Sequence, residues 1–290
     1  MNVVRKKVVS ILIVISVFTG LLISWCLGGF LIAPSQRHSA PLPPKLYGET
    51  VHFPSSSGAE ITGWFIGGSD ANAPVVILMH GVRGCREDML ERAKFLREAG
   101  YATMLFDFQA HGDSGGKNIT FGYLESRDAQ AAVEFVHRIR PKAKIGLIGV
   151  SMGAAAALLA SPPLKVDSMI LESVYPDIIR ATEDRIVMRL GPMGAILAPL
   201  LTCQLSLRIG ISTDQLRPIE GARKVSVPKY FFAGVVDQET TIQEAKEIFS
   251  AAAEPKQFWP VEKAGHVNLH TFAKPQYEKR VLEFFEQTLK

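Results

Sequence analysis

The stretch that most limits what this chain can become is residues 144–158, an apolar run, a serine set between glycines, then an alanine-rich run. The first part is β-type and the last is built of good helix formers, so the segment reads as strand, tight turn, helix. Gly149-Val150-Ser151-Met152-Gly153 fits the pattern G-x-S-x-G, in which the serine sits on a strained turn that only small neighbours allow. Its hydroxyl then stands clear above the sheet. Glycine and serine are common, so the pentapeptide alone is a moderate signal. The strand before it and the helix after it supply the context it needs.

Around this stretch the same alternation repeats. β-type runs at 75–79, 101–106 and 145–150 are followed by helical periodicity at 86–99, 125–139 and 152–160. Runs at 166–171, 229–233 and 257–261 supply further strands, with helices at 241–252 and 275–289. Strand alternating with helix predicts an α/β fold, a doubly wound and mostly parallel sheet. Residues 51–53 and 61–66 flank the turn-rich Pro54-Ser55-Ser56-Ser57-Gly58 and predict a strand pair ahead of it, with His52 a surface strand residue. Residues 174–216 break the rhythm.

The N-terminal part obeys different rules. Arg5, Lys6 and Lys7 precede residues 8–33, a run of 26 residues without a charge, enough for a helix to cross a hydrocarbon core of ~30 Å. A cleaved signal peptide competes with this reading, but its apolar region normally has only about 7–15 residues. Ile23-Ser24-Trp25-Cys26 approaches a lipoprotein cleavage box, yet bulky Trp25 stands where a small residue is needed. The expectation is a retained transmembrane anchor at 8–33. Basic residues favour the cytoplasmic side, which puts residues 1–7 there and the rest of the chain across the membrane, although Arg37 and Lys45 soften the bias. Residues 34–46, with Pro34, Pro41, Pro43 and Pro44, predict a stiff linker that lifts a domain at 47–290 off the bilayer.

Bulk properties narrow the partners. The net charge of +4 is mild for 290 residues and no basic cluster is interleaved with aromatics, so nucleic acid is not an expected partner. Cys26, Cys85 and Cys203 are too few and too scattered for a zinc site or a disulfide framework, and leave room for a single Cys85–Cys203 bridge.

The residues able to carry chemistry fall at strand ends. After 75–79 stands His80-Gly81-Val82-Arg83-Gly84, whose glycines let the backbone turn tightly and leave amides pointing above the sheet, where they can hold an oxyanion. After 101–106 the polar, glycine-rich residues 107–115 shape the same edge. A hydroxyl is a poor nucleophile until a histidine takes its proton, and that imidazole must be oriented by a carboxylate. Asp237 follows the strand at 229–233, and His266 follows the strand at 257–261. Each has rivals: Glu172 ends the strand at 166–171, Glu239 is read as a helix N-terminal residue, His270 could share a helix face with His266, and His137 sits mid-helix on the surface. Gly112-Asp113-Ser114-Gly115-Gly116 matches the serine motif of trypsin-like proteases. Those are all-β, with histidine and aspartate ahead of the serine, so here the match is a decoy.

With the order Ser, Asp, His in place, residues 47–290 resemble the α/β-hydrolase superfamily. The resemblance implies that Ser151 is the nucleophile, Asp237 the orienting acid and His266 the base, with backbone N–H groups of Met152 and Val82 forming the oxyanion hole. It also implies a cap at about 174–216. Within the superfamily the chain looks like membrane-anchored serine hydrolases of poorly defined substrate. The expected activity is esterase or lipase-like, on an apolar carboxylic ester that is small or lipid-like, without metal or organic cofactor. A peptidase or thioesterase would use the same residues, and a non-enzymatic binding protein on the same fold is the reading from another class. The cap carries Met188, Leu190, Met193, Ile196, Leu197, Leu200, Leu201, Leu205 and Ile209. Such a segment either buries its own core and lines an acyl pocket, or forms a lipid-facing lid.

Overall fold

A computed structural model describes residues 2–290 of the chain; Met1 of the expected cytoplasmic segment lies outside the described residues. Its strands are β1 (Gly48–Pro54), β2 (Glu60–Ile66), β3 (Val75–Met79), β4 (Ala102–Phe106), β5 (Ile145–Val150), β6 (Ser168–Glu172), β7 (Lys229–Gly234) and β8 (Lys256–Val261). The helices are α1 (Asn2–Ile32), α2 (Leu90–Glu98), α3 (Glu125–Ile139), α4 (Met152–Leu159), α5 (Ile178–Leu190), α6 (Ala198–Thr202), α7 (Gln204–Ile209), α8 (Pro218–Ala222), α9 (Ile242–Ala251), α10 (Leu269–Phe272) and α11 (Lys274–Leu289).

The strands form one eight-stranded sheet in the order β1-β2-β4-β3-β5-β6-β7-β8. β1 and β2 pair antiparallel, as do β2 and β4, and from β4 to β8 every neighbouring pair is parallel. Both faces are covered, which explains why β3 is apolar at every position. Val75, Ile77 and Met79 enter one core with α3 and α4, while Val76 and Leu78 enter the other with α2 and α11. α4 can lie directly on the sheet because Ala154, Ala155, Ala156 and Ala157 are all fully buried and none holds it away. A Cβ on Gly153 would stand 2.6 Å from the Met79 carbonyl oxygen and 2.7 Å from that of His80. That spacing is what lets the turn after β5 sit against the end of β3.

Several local expectations are corrected. The helix expected from residue 86 begins as a 3₁₀ turn at Arg86–Met89, whose first N–H, that of Arg86, donates to Asp107 Oδ1 at 2.6 Å. Glu239 belongs to no helix; α9 starts after it, with Thr241 and Glu244 forming a reciprocal cap. His266 lies in the loop before α10 and shares no helix face with His270. Cys26, Cys85 and Cys203 are all unpaired, with Cys85 buried and Cys203 exposed.

The linker differs from its expectation in what it does. α1 is exposed along most of its length, and its most apolar 18-residue window has mean hydropathy 2.5. Its last turns are not free: Ser24, Gly28 and Ile32 follow one another at four-residue steps and turn toward the rest of the protein. Gln204 of α7 donates to the Ser24 carbonyl at 3.2 Å and to its hydroxyl at 3.0 Å. Glycine at 28 lets Gln204 lie close against α1, where a Cβ would meet Gln204 Oε1 at 2.3 Å and the side chain would have to shift. Beyond α1 the chain does not stand off from the domain. Ser35 N–H donates to Ala110 O at 2.8 Å, Gly112 N–H donates to Ser35 O at 2.9 Å, and Arg37 pairs with Asp88. Prolines make the segment extended, but extended backbone offers its N–H and C=O groups to a neighbour, and the loop after β4 takes them.

The cap at 174–216 comprises α5, a 3₁₀ stretch at Pro192–Leu197, α6 and α7. Gly191, at φ 73°, ends α5, and Pro192 and Pro199 open the next two pieces. Ile178, Leu205, Ile211 and Leu216 form a small core of its own. Many other apolar side chains remain outside it.

Replacing Gly153 by alanine pushes a methyl into two backbone carbonyls that cannot move without shifting β3. The expected result is a loss of about 1–3 kcal/mol in urea unfolding, with a Gly28→Ala change leaving the unfolding midpoint of the sheet domain nearly unchanged.

Candidate active site

The turn between β5 and α4 sets Ser151 at φ 49° and ψ −109°, a left-handed backbone rarely adopted by a side-chain-bearing residue. Two bonds hold it there: Ser151 N–H donates to Glu172 O at 2.8 Å, and Ala155 N–H donates to Ser151 O at 2.9 Å. The residue is 4% exposed, and its hydroxyl donates to no protein acceptor but opens on a cavity of about 470 Å³. His266 lines the same cavity, together with Gly81, Val82, Met89, Arg92, Arg185 and Glu239.

His266 Nδ1 is 2.8 Å from Asp237 Oδ2. The acid is buried at the end of β7, and its other oxygen accepts N–H bonds from Glu239 at 2.8 Å and Thr240 at 3.0 Å. With those amides on Oδ1, Oδ2 is left for the imidazole. Nδ1–H donates to the carboxylate, so Nε2 is the unprotonated nitrogen of the neutral ring. Ser151, Asp237 and His266 thus come from three strand ends to one edge of the sheet. No Ser151–His266 hydrogen bond is made in this structure, a common condition of unliganded sites whose contacts tighten on substrate.

The two amides singled out in the sequence, those of Met152 and Val82, are both left without a backbone acceptor among the described residues. Met152 opens α4, so its N–H has no intrahelical acceptor and the helix dipole adds to its pull. Val82 lies in the cavity wall and its N–H donates to no acceptor among the described residues. The loop that carries Val82 is held by two buried histidines that the sequence left as turn and loop residues. His80 Nδ1 bonds Gly81 O at 2.7 Å and Nε2 accepts the Phe108 N–H at 3.1 Å. His111 Nδ1 bonds Gln109 O at 2.8 Å and Nε2 accepts the Arg83 N–H at 3.1 Å. Each ring gives one proton and accepts one, which only a neutral imidazole can do. Burial, with His111 nearby, lowers the His80 pKa to about 3, and burial lowers that of His111 too.

The rivals have other work. Glu172 is buried against Arg92, with Nη2 to Oε2 at 2.7 Å and Nε to Oε1 at 3.1 Å, and it also accepts from Tyr277. Glu239 holds Arg185 of the cap at 3.2 Å. His270 is buried and pairs with Glu278 at 2.8 Å, and His137 reaches the Lys165 carbonyl at 3.0 Å. Ser114 is spent inside the loop after β4: its hydroxyl donates to Asp107 O at 2.7 Å and accepts from Thr62 N–H at 2.9 Å. Arg86 threads the same loop, pairing with Asp107 and Asp113 and lying over the Trp64 ring. Among the described residues no group of three or more His, Cys, Asp or Glu side chains is arranged to hold a metal ion.

The cap does not furnish the acyl wall expected of it. Neither Leu197 nor Leu201 lines the cavity around Ser151, and the cap contributes Arg185 there. The apolar side of the cavity comes from the sheet edge, through Val82, Met89, Val150 and Val267.

Comparison with known proteins agrees with this architecture. Residues 70–202 match the family model described as serine aminopeptidase, S33, a span that contains Ser151 and ends before Asp237 and His266. The chain is 24% identical to the uncharacterized protein YqkD of Bacillus subtilis over 241 residues, 80% of this chain and 77% of that one. It is 27% identical over 237 residues to an uncharacterized protein of Mycobacterium tuberculosis, covering 80% and 76% respectively. Among solved structures it is similar to the esterase Pf2001 of Pyrococcus furiosus, with TM-score 0.74 at 23% identity, covering 90% of this chain and 99% of that one.

Two measurements follow. Glu172→Gln leaves the Arg92 guanidinium buried without its counter-charge and should cost about 3–5 kcal/mol in denaturant unfolding. For His80, whose folded pKa lies below its unfolded value, the unfolded chain binds the extra proton between pH 6.5 and about 3. Its contribution to stability is therefore complete above pH 6.5 and is lost as pH falls toward 3. A His80→Gln variant should show a smaller fall in unfolding free energy across that window than the parent.

Proposed function

We propose, for a chain that belongs to the α/β-hydrolase superfamily, that it is a membrane-tethered serine hydrolase cleaving apolar carboxylic esters through an acyl-enzyme. The observation that carries this reading is the 2.8 Å contact between Asp237 and His266 Nδ1, at a cavity shared with a serine held in a left-handed turn. In the first step His266 Nε2 takes the Ser151 proton as the oxygen attacks the ester carbonyl. The negative oxygen that forms is held by the Met152 and Val82 amides. His266 then gives its proton to the departing alcohol, leaving the acyl group on Ser151. Water, deprotonated by the same nitrogen, repeats the attack and frees the acid and the serine. Asp237 stays ionised throughout, fixing the tautomer and stabilising the imidazolium.

The tether reading rests on the 26 uncharged residues at 8–33, their helical conformation in α1 and its exposure. Arg5, Lys6 and Lys7, in the first turns of α1 ahead of its uncharged run, favour a cytoplasmic N-terminus and a hydrolase domain on the other side.

A second reading, a peptidase that removes an N-terminal residue, is favoured by the matched family's description and by the Glu239 carboxylate at the cavity, a group that an α-ammonium would seek. Arg185 already neutralises that carboxylate at 3.2 Å, which weighs toward the ester.

A fluorophosphonate probe should label the protein, and Ser151→Ala should abolish labelling while Ser114→Ala retains it. Asp237→Asn should lower aryl-ester turnover by up to ~10⁴ with little change in unfolding. Labelling that survives Ser151→Ala, or faster cleavage of aminoacyl amides than of esters, would displace the ester reading. Protease added to spheroplasts should digest the domain; protection until lysis would reverse the orientation.

A further inference from the structure

We infer that the cap is a second membrane contact, sunk into the headgroup–acyl boundary of the leaflet in which α1 ends, and that Ser151 is served from that leaflet with an acyl ester of a membrane lipid. The inference rests on the reading of α1 as a membrane span and adds where the cap lies and where substrate enters.

The first observation is the direction of the cap's apolar side chains. Leu190, Met193, Ile196 and Leu207 are 63%, 75%, 68% and 75% exposed, and none lines the cavity. Steps of three, four and seven residues connect 193, 196, 197, 200 and 207, so a nearly continuous helical run presents them along one side, while buried Gln204 turns to α1. Residues Pro192–Ile209 have mean hydropathy 1.3 and are 28% buried, unlike a core helix of a soluble protein. A patch of this kind in water is costly and calls for a cover.

The second observation says what the cover is. The run cannot cross a bilayer, because the chain enters it from α5 and leaves it toward α8, both of which belong to the same domain. It is joined to α1 at a definite height: Gln204 bonds Ser24, and Arg208 bonds the Trp25 carbonyl and lies 3.7 Å from the Trp25 ring centroid. Ser24 stands 16 residues beyond Val8, about 24 Å at 1.5 Å per residue, in a hydrocarbon core of ~30 Å. The cap therefore lies some ~6 Å inside the far boundary, within the ~5–10 Å at which amphipathic helices rest. Trp25 is at the level where indoles collect. Arg189, in the last turn of α5, has no carboxylate partner among the described residues and stands just ahead of the apolar run, where a headgroup phosphate would pair with it.

The third observation orients the site. The end of α1 docks on the catalytic edge of the sheet: Arg83, next to Val82, bonds the Phe30 carbonyl and lies 4.5 Å from its ring centroid, and Ile119 N–H donates to Ile32 O at 2.8 Å. The strand ends that carry Ser151, Asp237 and His266 thus face the bilayer, and a lipid ester can reach them without passing through water.

The test uses the full chain with Cys26→Ser and Cys203→Ser, buried Cys85 left in place. An environment-sensitive fluorophore is attached at Met193→Cys or Leu207→Cys in the cap, at Val14→Cys in α1, or at Lys279→Cys on α11. The protein is placed in vesicles of equal parts phosphatidylcholine and phosphatidylglycerol with bromine near the ester end of one acyl chain. Quenching is expected at 193, 207 and 14 and not at 279. Quenching at 14 alone overturns this inference and leaves the tether standing; no quenching at 14 removes the tether and this inference with it. In a second measurement, the combined Met193→Glu, Ile196→Glu and Leu207→Glu variant should hydrolyse a long-chain ester presented in those vesicles about tenfold more slowly or worse, with a water-soluble short aryl ester unaffected. Equal rates of parent and variant on the vesicle ester would also overturn it.

Discussion

The left-handed backbone at Ser151 is the constraint on which the rest of this structure depends. It costs of order 1–3 kcal/mol and persists only where the surroundings over-determine it. Here those surroundings are the Glu172 carbonyl bonded to the serine N–H, the first turn of α4 behind it, and the close approach of Gly153 to two carbonyls. Glu172 is itself pinned by Arg92 and Tyr277 on the far side of β6. A buried ion pair is weak evidence for stability in general. Beneath a strained turn its value is rigidity, because it fixes the strand end from which the serine is hung.

The same economy of means holds the oxyanion loop. Two histidines that do no chemistry tie the loop after β3 to the loop after β4, and both must be neutral to make their bonds. Acid that protonates them breaks the bonds that hold the Val82 loop. The site therefore has imidazoles of two kinds, His266 held by a carboxylate and two more that stay neutral to keep their bonds to backbone.

The position of α1 joins this site to the long apolar helix. An extended proline-rich segment beside a loop with free backbone groups pairs with it, so α1 ends on the domain and not at a distance from it. Arg83 links the last turn of α1 to the residue next to the oxyanion amide, and Gln204 and Arg208 link the cap to the same helix. The end of α1, the cap and the loop after β3 are thus bonded to one another.

The sequence by itself determined the parts whose physics is local. A β-type run, a glycine-flanked serine and an alanine run can form little other than β5, the elbow and α4, and the sequence order of Ser151, Asp237 and His266 at successive strand ends marked them before any coordinates. Periodicity placed α3 at Glu125–Ile139 and β5 at Ile145–Val150, and the 26 uncharged residues announced α1. The tertiary structure decided whatever depends on partners far away in the chain. Glu172 could be read as a rival acid until Arg92, 80 residues earlier, and Tyr277, 105 later, were seen to hold it. His80 and His111 looked like turn residues, because nothing in their neighbourhood of sequence shows that each spends both ring nitrogens on backbone. The leucines of the cap carried an apolar signal but no direction, since hydrophobicity says that a side chain avoids water and not which surface shelters it. That direction is set by Ser24 and Trp25, some 180 residues away, through bonds that exist only once the anchor has docked.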